Sequence, residues 1–216
     1  MTRHPPEHPE GITRVQVGCG PHHIRPDWWN VDIRKFRGVD EALDATQPWR
    51  WRDRLSYVYA EHFLEHLSIA GGISFLTHAG NALRVGGKLR LSTPGLEWVI
   101  ASHFALKETE EERMVAQTLK TNRAFYGWGH QFLYSRSMLA YVLRQLGFID
   151  IRFFAYGESG DDELRGVEKH GKYSVLAGYP SVWIVEATKG EAAISAPAAL
   201  IELVQQELMR HVQGGH

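Results

Sequence analysis

Three groups of residues in this chain have types and spacings that could do chemistry. The first is Val15-Gln16-Val17-Gly18-Cys19-Gly20, a glycine pair directly after a short alternating run. Glycines at such a point let the backbone turn tightly and pass close to a ligand. Asp32 follows at the end of a second short run, Asn30-Val31-Asp32-Ile33, where a carboxylate can take both hydroxyls of a ribose. The second group is His62-Phe63-Leu64-Glu65-His66, which matches the H-x-x-E-H pattern of an inverted zinc protease. On a helix the two histidines would share a face. No third zinc ligand is apparent, and the segment starts where a strand ends. His66 therefore reads as a helix residue bonded to a backbone carbonyl. His62 reads as functional, because sites in open α/β sheets lie past the carboxyl ends of strands. No metal is expected. The third group is Arg123-Ala124-Phe125-Tyr126-Gly127-Trp128-Gly129-His130-Gln131-Phe132. Gly127 and Gly129 supply hinges, and the aromatics supply flat apolar faces suited to a sugar ring or another flat polar substrate. Arg123, Tyr126 and Trp128 are the candidate substrate contacts, and His130 is a candidate general base beside His62. The competing reading is a connection that folds its aromatics into the core.

The elements that must position these groups can be placed from periodicity. Thr13–Val17, Asn30–Ile33, Val39–Leu43 and Leu55–Ala60 read as four short strands. A helical stretch opens at His62–Leu67, is interrupted at Gly71-Gly72, continues through Ile73, Leu76 and Leu83, and closes at Gly86-Gly87. Lys88–Thr93 is a strand stopped by Pro94-Gly95, and a charged helix lies near Glu108–Leu119. Ser137–Leu146 is an amphipathic helix capped by Gly147, Phe148–Phe154 a strand, Gly157–Gly171 a charged loop, and Ser181–Thr188 the last strand. The loop from Glu158 reads as solvated, although Glu168, Lys169 and His170 could reach the same pocket as the aromatic loop. Strands alternating with helices make an α/β protein with a Rossmann-like, doubly wound, mostly parallel sheet and helices on both faces. The last two strands have no helix between them, so an antiparallel edge strand is expected.

The chain has 216 residues, with 24 Lys+Arg against 25 Asp+Glu, and 44% of it is hydrophobic. That length supports one sizeable core. A net charge of −1 lacks the basic footprint of a nucleic-acid binder, and no apolar run approaches a membrane span. Residues 1–11, with Pro5, Pro6 and Pro9, read as a disordered lead without the apolar stretch of a signal peptide. The single cysteine, Cys19, excludes an internal disulfide and suits a reducing compartment, so a cytoplasmic location is expected. Within the glycine turn it reads as a small packed residue rather than a nucleophile. Trp28-Trp29 and Trp49/Trp51 read as packing residues or as covers for an adenine. Residues 12–188 form the domain. Residues 189–216 are a linker and an amphipathic helix whose stripe, Leu200, Val204, Leu208 and Val212, must be covered by this chain or by a second copy in a homodimer.

The glycine turn discriminates between cofactors. The dinucleotide pattern G-x-G-x-x-G needs a third glycine where His23 stands, and Pro21 removes an N–H that a pyrophosphate would use. Asp32 also lies too close behind Gly20 for a full crossover helix. S-adenosyl-L-methionine has no pyrophosphate and tolerates all three features.

Several further segments fall in order at close spacing: Trp29-Asn30-Val31-Asp32, Leu43-Asp44-Ala45, Ala60-Glu61-His62-Phe63-Leu64-Glu65-His66-Leu67, Leu83-Arg84-Val85-Gly86-Gly87-Lys88-Leu89 and Leu146-Gly147-Phe148. With Val17–Gly20, this series resembles class I S-adenosylmethionine-dependent methyltransferases over roughly residues 12–188. It is most similar to the short predicted methyltransferases linked to glycan and secondary-metabolite biosynthesis. The resemblance implies that Gly18 and Gly20 pass under the methionine and ribose, and that Asp32 holds the ribose hydroxyls. It places Asp44 and the Ala45 backbone by the adenine amino group, and Glu61 and His62 at the end of the fourth strand facing the transferred methyl. Two positions depart from the family pattern: Gln16 replaces an acid, and His22 a glycine. The expected activity is methyl transfer to a small-molecule or saccharide acceptor, at a hydroxyl. The alternative is a non-catalytic Rossmann-like cofactor-binding or partner subunit.

Overall fold

A computed structural model describes residues 11–170 and 173–212. The expected lead therefore lies outside the described residues apart from Gly11. Seven strands form one sheet: β1 (Arg14–Val17), β2 (Trp29–Asp32), β3 (Glu41–Ala42), β4 (Leu55–Glu61), β5 (Leu83–Pro94), β6 (Phe148–Phe154) and β9 (Val182–Lys189), in the order β3-β2-β1-β4-β5-β9-β6. A separate two-stranded ribbon, β7 (Val175–Leu176) and β8 (Tyr179–Pro180), precedes β9. The first five strands pair in parallel, and β9 runs antiparallel to both neighbours. The expected Rossmann-like, mostly parallel sheet is present. Its antiparallel strand is not at the rim: β9 inserts between β5 and β6, and β6 forms the edge.

Alternation along the strands assigns the two faces. Val15, Val17, Val31, Val58, Ala60, Leu89, Leu91, Val185 and Ala187 are buried in the main core. Helices cover that face. In α1 (Ile69–Ala82) Ser68 caps the start, its Oγ accepting the Gly71 N–H at 3.1 Å. The helix continues through Gly71-Gly72 rather than breaking there. Gly72 is required by packing: a Cβ on it would stand 2.5 Å from the Tyr134 hydroxyl. α4 (Arg136–Leu146) is capped by Ser135 and ends on Gly147 in the left-handed conformation (φ +101°). The segment after β9 docks on α1, where Asn81 gives and receives hydrogen bonds with the Ile194 backbone. α5 (Ala198–Val204) then buries Leu200 and Val204 in the same core, so this chain itself covers that part of the terminal stripe.

The other face is covered differently from the sequence expectation. Segment 155–170, expected to be solvated from Glu158 onward, lies over it: Leu164 and Val167 pack with Trp28, Tyr57 and Tyr59. Charge pairing accompanies this apolar packing. Arg90 on β5 is fully buried, and a buried guanidinium must be paired. Glu168 meets it with two bonds, Nε to Oε1 at 2.7 Å and Nη2 to Oε2 at 2.9 Å, and Glu186 on β9 bonds its Nη1. Burial works against the Arg90 charge, but the two carboxylates outweigh it and raise its pKa. Lys88 likewise anchors Asp161 at 2.8 Å. The polar residues of the loop are thus ligands for charges on the sheet.

α2 (Leu96–His103) and α3 (Glu111–Tyr126) form a smaller unit around Val99, Ala124 and Leu133. It is tied to the sheet by the Trp183 indole N–H donating to Glu97 at 2.8 Å. α3 runs a full two turns beyond the expected Leu119, so Arg123–Tyr126 are helical rather than loop. Among the described residues no helix is long and apolar enough to cross a membrane. Trp28, Trp49 and Trp51 are all buried in core clusters, which is the packing reading.

Candidate functional site

Two adjoining cavities open at the carboxyl ends of the parallel strands, and His66 lines both. The first, of about 470 Å3, runs past Gly18, Asp32, Ile33, Leu43, Asp44, Ala45 and Phe63. Gly18 has φ +65°, and a Cβ there would stand 2.3 Å from the Phe63 ring, so only glycine lets the turn lie against that ring. Asp32 at the end of β2 is 9% exposed. Its Oδ2 accepts the Gly20 N–H and its Oδ1 the Arg34 N–H, both at 3.0 Å. The carboxylate thus braces the glycine turn while keeping acceptor positions on each oxygen. Asp44 starts a turn in which its Oδ1 accepts from the Thr46 N–H and hydroxyl, and these bonds hold its pKa below the ordinary carboxylate value. Gly18, Asp32, Asp44 and Ala45 are therefore brought together around one cavity, and Gly20 touches it through Asp32.

Glu61 is not. Alternation at the end of β4 turns it to the face under segment 155–170, where its Oε1 accepts the backbone N–H groups of Lys169 and His170 at 2.8 and 2.9 Å. Its Oε2 is buried and has no hydrogen-bond partner among the described residues; the same holds for Gln16 Oε1, His23 Nδ1 and Arg25 Nη2. Gln16 is in register with Tyr59, two residues before Glu61 on the same face. A cluster of buried polar atoms therefore sits beside the glycine turn with hydrogen-bonding capacity left over.

The second cavity, of about 510 Å3, is lined by His62, Glu65, Trp98, Trp128, His130 and His170 among others, with Arg123 and His103 at its wall. His62 follows β4 with φ +45°, a conformation that costs a non-glycine residue energy and is found at functional sites. Its Nδ1 lies 3.0 Å from Oε1 of Glu65, which is fully buried; Thr93 donates to the other carboxylate oxygen at 3.0 Å. This arrangement fixes the imidazole with Nδ1 protonated and Nε2 as the basic nitrogen. The His170 ring stands 4.2 Å from that of His62. Burial, and then the neighbouring His62, lower the His170 pKa, so His170 favours its neutral form. Tyr126 lines neither cavity and is 77% exposed. It lies two residues past the inward-facing Ala124, about 200° round the helix.

His130 also faces this cavity, and its Nδ1 is 2.8 Å from the Ala124 carbonyl. Trp128 holds φ +58° and stands under the Arg123 guanidinium at 5.7 Å. His66 bonds a backbone carbonyl as expected, that of Gly129 at 3.3 Å, from a 3-10 turn (Leu64–His66) rather than an α-helix. Sequence reasoning passed over Glu65 as a site residue, although its i, i+3 spacing from His62 was the available signal. Trp98 and His103 carried no signal; only the packing of α2 against α3 brings them in.

No family model matches this sequence, and no curated protein matches it. Among solved structures, a SAM-dependent methyltransferase from Archaeoglobus fulgidus is similar at 16% identity and TM-score 0.51, covering 83% of this chain and 87% of that one. A possible exported protein from Bordetella parapertussis is similar at 16% identity and TM-score 0.50, over 83% of this chain and 62% of that one. The CurJ carbon methyltransferase aligns at 15% identity and TM-score 0.47, over 85% of this chain and 50% of its own length. The likeness is one of fold: this chain has the Rossmann-like fold that S-adenosylmethionine-dependent methyltransferases use.

Proposed function

We propose that this protein is an S-adenosylmethionine-dependent methyltransferase acting on a hydroxyl of a small, flat, polar acceptor, such as a small molecule or saccharide. The observation that carries the reading is the Glu65–His62 pair at the end of β4, set where a nucleoside-sized cleft and a second, aromatic cavity adjoin. The residues fit the cofactor. Asp32 keeps acceptor positions for the ribose hydroxyls, and Asp44 with Ala45 stands at the adenine end. The buried, unsatisfied Gln16, Glu61 and Arg25 atoms suit an amino acid's ammonium and carboxylate, which would assign Glu61 to the methionine end. When bound, the cofactor supplies a methyl group on a positively charged sulfur.

The chain's own task is to position and deprotonate the acceptor. Trp98 and Trp128 offer aromatic faces to a ring, and Arg123 offers hydrogen-bond donors beside Trp128. The Nε2 of His62 takes the hydroxyl proton. Glu65 holds the opposite N–H and offsets the charge that forms on the ring, in the manner of a base oriented by a buried carboxylate. Between the two histidines expected as base, this geometry favours His62, because the partner of His130 Nδ1 is a neutral carbonyl.

Calorimetry with S-adenosylhomocysteine tests the cofactor, and absence of binding would remove the reading. Turnover is then followed by release of that product across a panel of hydroxylated acceptors. His62→Ala should lower it by about 10²–10⁴-fold with product affinity unchanged. Full turnover in that variant would exclude His62 as the base.

A further inference from the structure

The zinc-like spacing in the sequence has a different outcome in three dimensions. His62 and His66 do not pair across a helix turn, because Leu64–His66 is only a 3-10 turn. Instead a carboxylate oxygen of Glu65 and one ring nitrogen each of His66 and His130 lie within 4.8 Å of one another. We propose that these three residues form a binding site for a divalent transition-metal ion of the zinc class, opening into the aromatic cavity.

Three observations carry the assignment. First, the donor set is right: two imidazoles and a carboxylate suit zinc or ferrous iron and disfavour magnesium, which prefers oxygen ligands throughout. In a tetrahedral zinc site, ligand atoms lie roughly 3.4 Å apart, so closing the present triangle needs shifts on the order of 1 Å. Second, each ring has one nitrogen on a backbone carbonyl, a partner that ligating histidines commonly have. His66 Nδ1 faces the Gly129 carbonyl at 3.3 Å and His130 Nδ1 the Ala124 carbonyl at 2.8 Å. A backbone carbonyl on one nitrogen fixes the tautomer and leaves the Nε2 lone pair for a metal. The rings stand 5.1 Å apart at 68°, edge to face. Third, the two segments that supply the ligands are clamped together. The Glu65 carbonyl accepts the N–H groups of Gln131 and Phe132 at 2.7 and 3.2 Å, and the Gln131 side chain donates to the His66 carbonyl at 2.6 Å. Ligands from distant parts of the chain are thereby held in place before any ion arrives.

Three protein ligands leave a position open to the cavity. Resting on the methyltransferase reading, the ion would bind the acceptor oxygen there and ease loss of its proton to His62 Nε2. Glu65 serves both partners, with Oε1 already on His62 and Oε2 on Thr93, since each carboxylate oxygen has a second acceptor position.

The test uses the full chain, stripped with a chelator and titrated with Zn2+ by calorimetry and with Co2+ by visible absorption. One equivalent should bind, and the Co2+ spectrum should show the ligand-field bands of a low-coordinate nitrogen–oxygen site. His130→Gln and His66→Gln should each weaken binding by at least about 100-fold, the upper range for loss of even an outer partner. His103→Ala, in the same cavity but outside the triad, should bind as the wild type does. Circular dichroism checks that each variant is folded. Absence of a one-equivalent site would overturn the proposal. So would Zn2+ affinity unchanged in folded His66→Gln and His130→Gln, or abolished by His170→Ala alone. S-adenosylhomocysteine affinity on the same samples reports separately: a metal site without nucleoside binding leaves the ion site standing and removes the methyltransferase reading.

Discussion

Asp32 is the residue on which the cofactor assignment turns. Its two oxygens already accept the Gly20 and Arg34 N–H groups at 3.0 Å each, so it holds the glycine turn and is itself held. An ionised carboxylate accepts about four hydrogen bonds, which leaves one position per oxygen for a vicinal diol. Asp32→Ala deletes both. A hydrogen bond to a charged group contributes about 1.5–3 kcal/mol, and water re-solvates the free diol, so the net loss should fall near the value for one such bond. That corresponds to a Kd for S-adenosylhomocysteine raised by roughly 10- to 150-fold. The substitution also frees the Gly20 N–H, so weaker binding alone could reflect a loosened turn. A ligand lacking one ribose hydroxyl separates the effects. On the wild type it should bind more weakly than the parent nucleoside; on Asp32→Ala the two should bind alike. Calorimetry reads both affinities, and a thermal melt confirms the fold. Wild-type affinity in a folded Asp32→Ala would refute the argument, as would a hydroxyl penalty that persists undiminished in the variant.

Gly18→Ala should lower Tm. The left-handed backbone costs a residue with a Cβ about 1–2 kcal/mol before any clash, and each kcal/mol moves a chain of this size by roughly 2–4 °C; Phe63→Ala in the same background should recover part of the loss, because that ring is what the new Cβ meets. Arg90→Met should cost about 3–5 kcal/mol in urea unfolding, since it strands Glu168 and Glu186 in the interior. Adding Glu168→Gln and Glu186→Gln should return much of it, and no recovery would mean the loss is one of packing rather than charge. Acid should weaken the fold through His78, His103 and His170, whose pKa values burial pushes below 6.5. The unfolded chain then binds more protons than the folded one, so stability is full above about pH 6.5 and falls as pH drops through that value toward the folded pKa values. Equal urea midpoints at pH 7 and pH 5.5 would contradict this.

Local chemistry alone determined much of this molecule. The Gly18–Gly20 turn and Asp32 at a strand end were legible because each answers a short-range demand: a positive φ, a close backbone approach, a carboxylate at the end of a buried strand; Asp44 was reached only through the family resemblance. The alternation of Val15 and Val17, or of Leu89 and Leu91, likewise reports which face of a strand is buried, since the pleat reverses at every residue. Tertiary structure decided what depends on partners far apart in the chain. Segment 155–170 looks solvated by composition from Glu158 onward, yet it lies on the sheet, where Arg90, at the middle of a buried strand, meets Glu168 from 78 positions away. Glu61 is legible as an acid at the end of a strand, but the face it occupies is set by pairing along β4, and its Oε1 is held by backbone that arrives more than a hundred residues later. His62-Phe63-Leu64-Glu65-His66 is legible as a motif, while its division of labour is not. A single 3-10 turn sends His62 to Glu65, and Glu65 with His66 toward His130, because Gln131 and Phe132 hydrogen-bond to that turn across more than sixty residues.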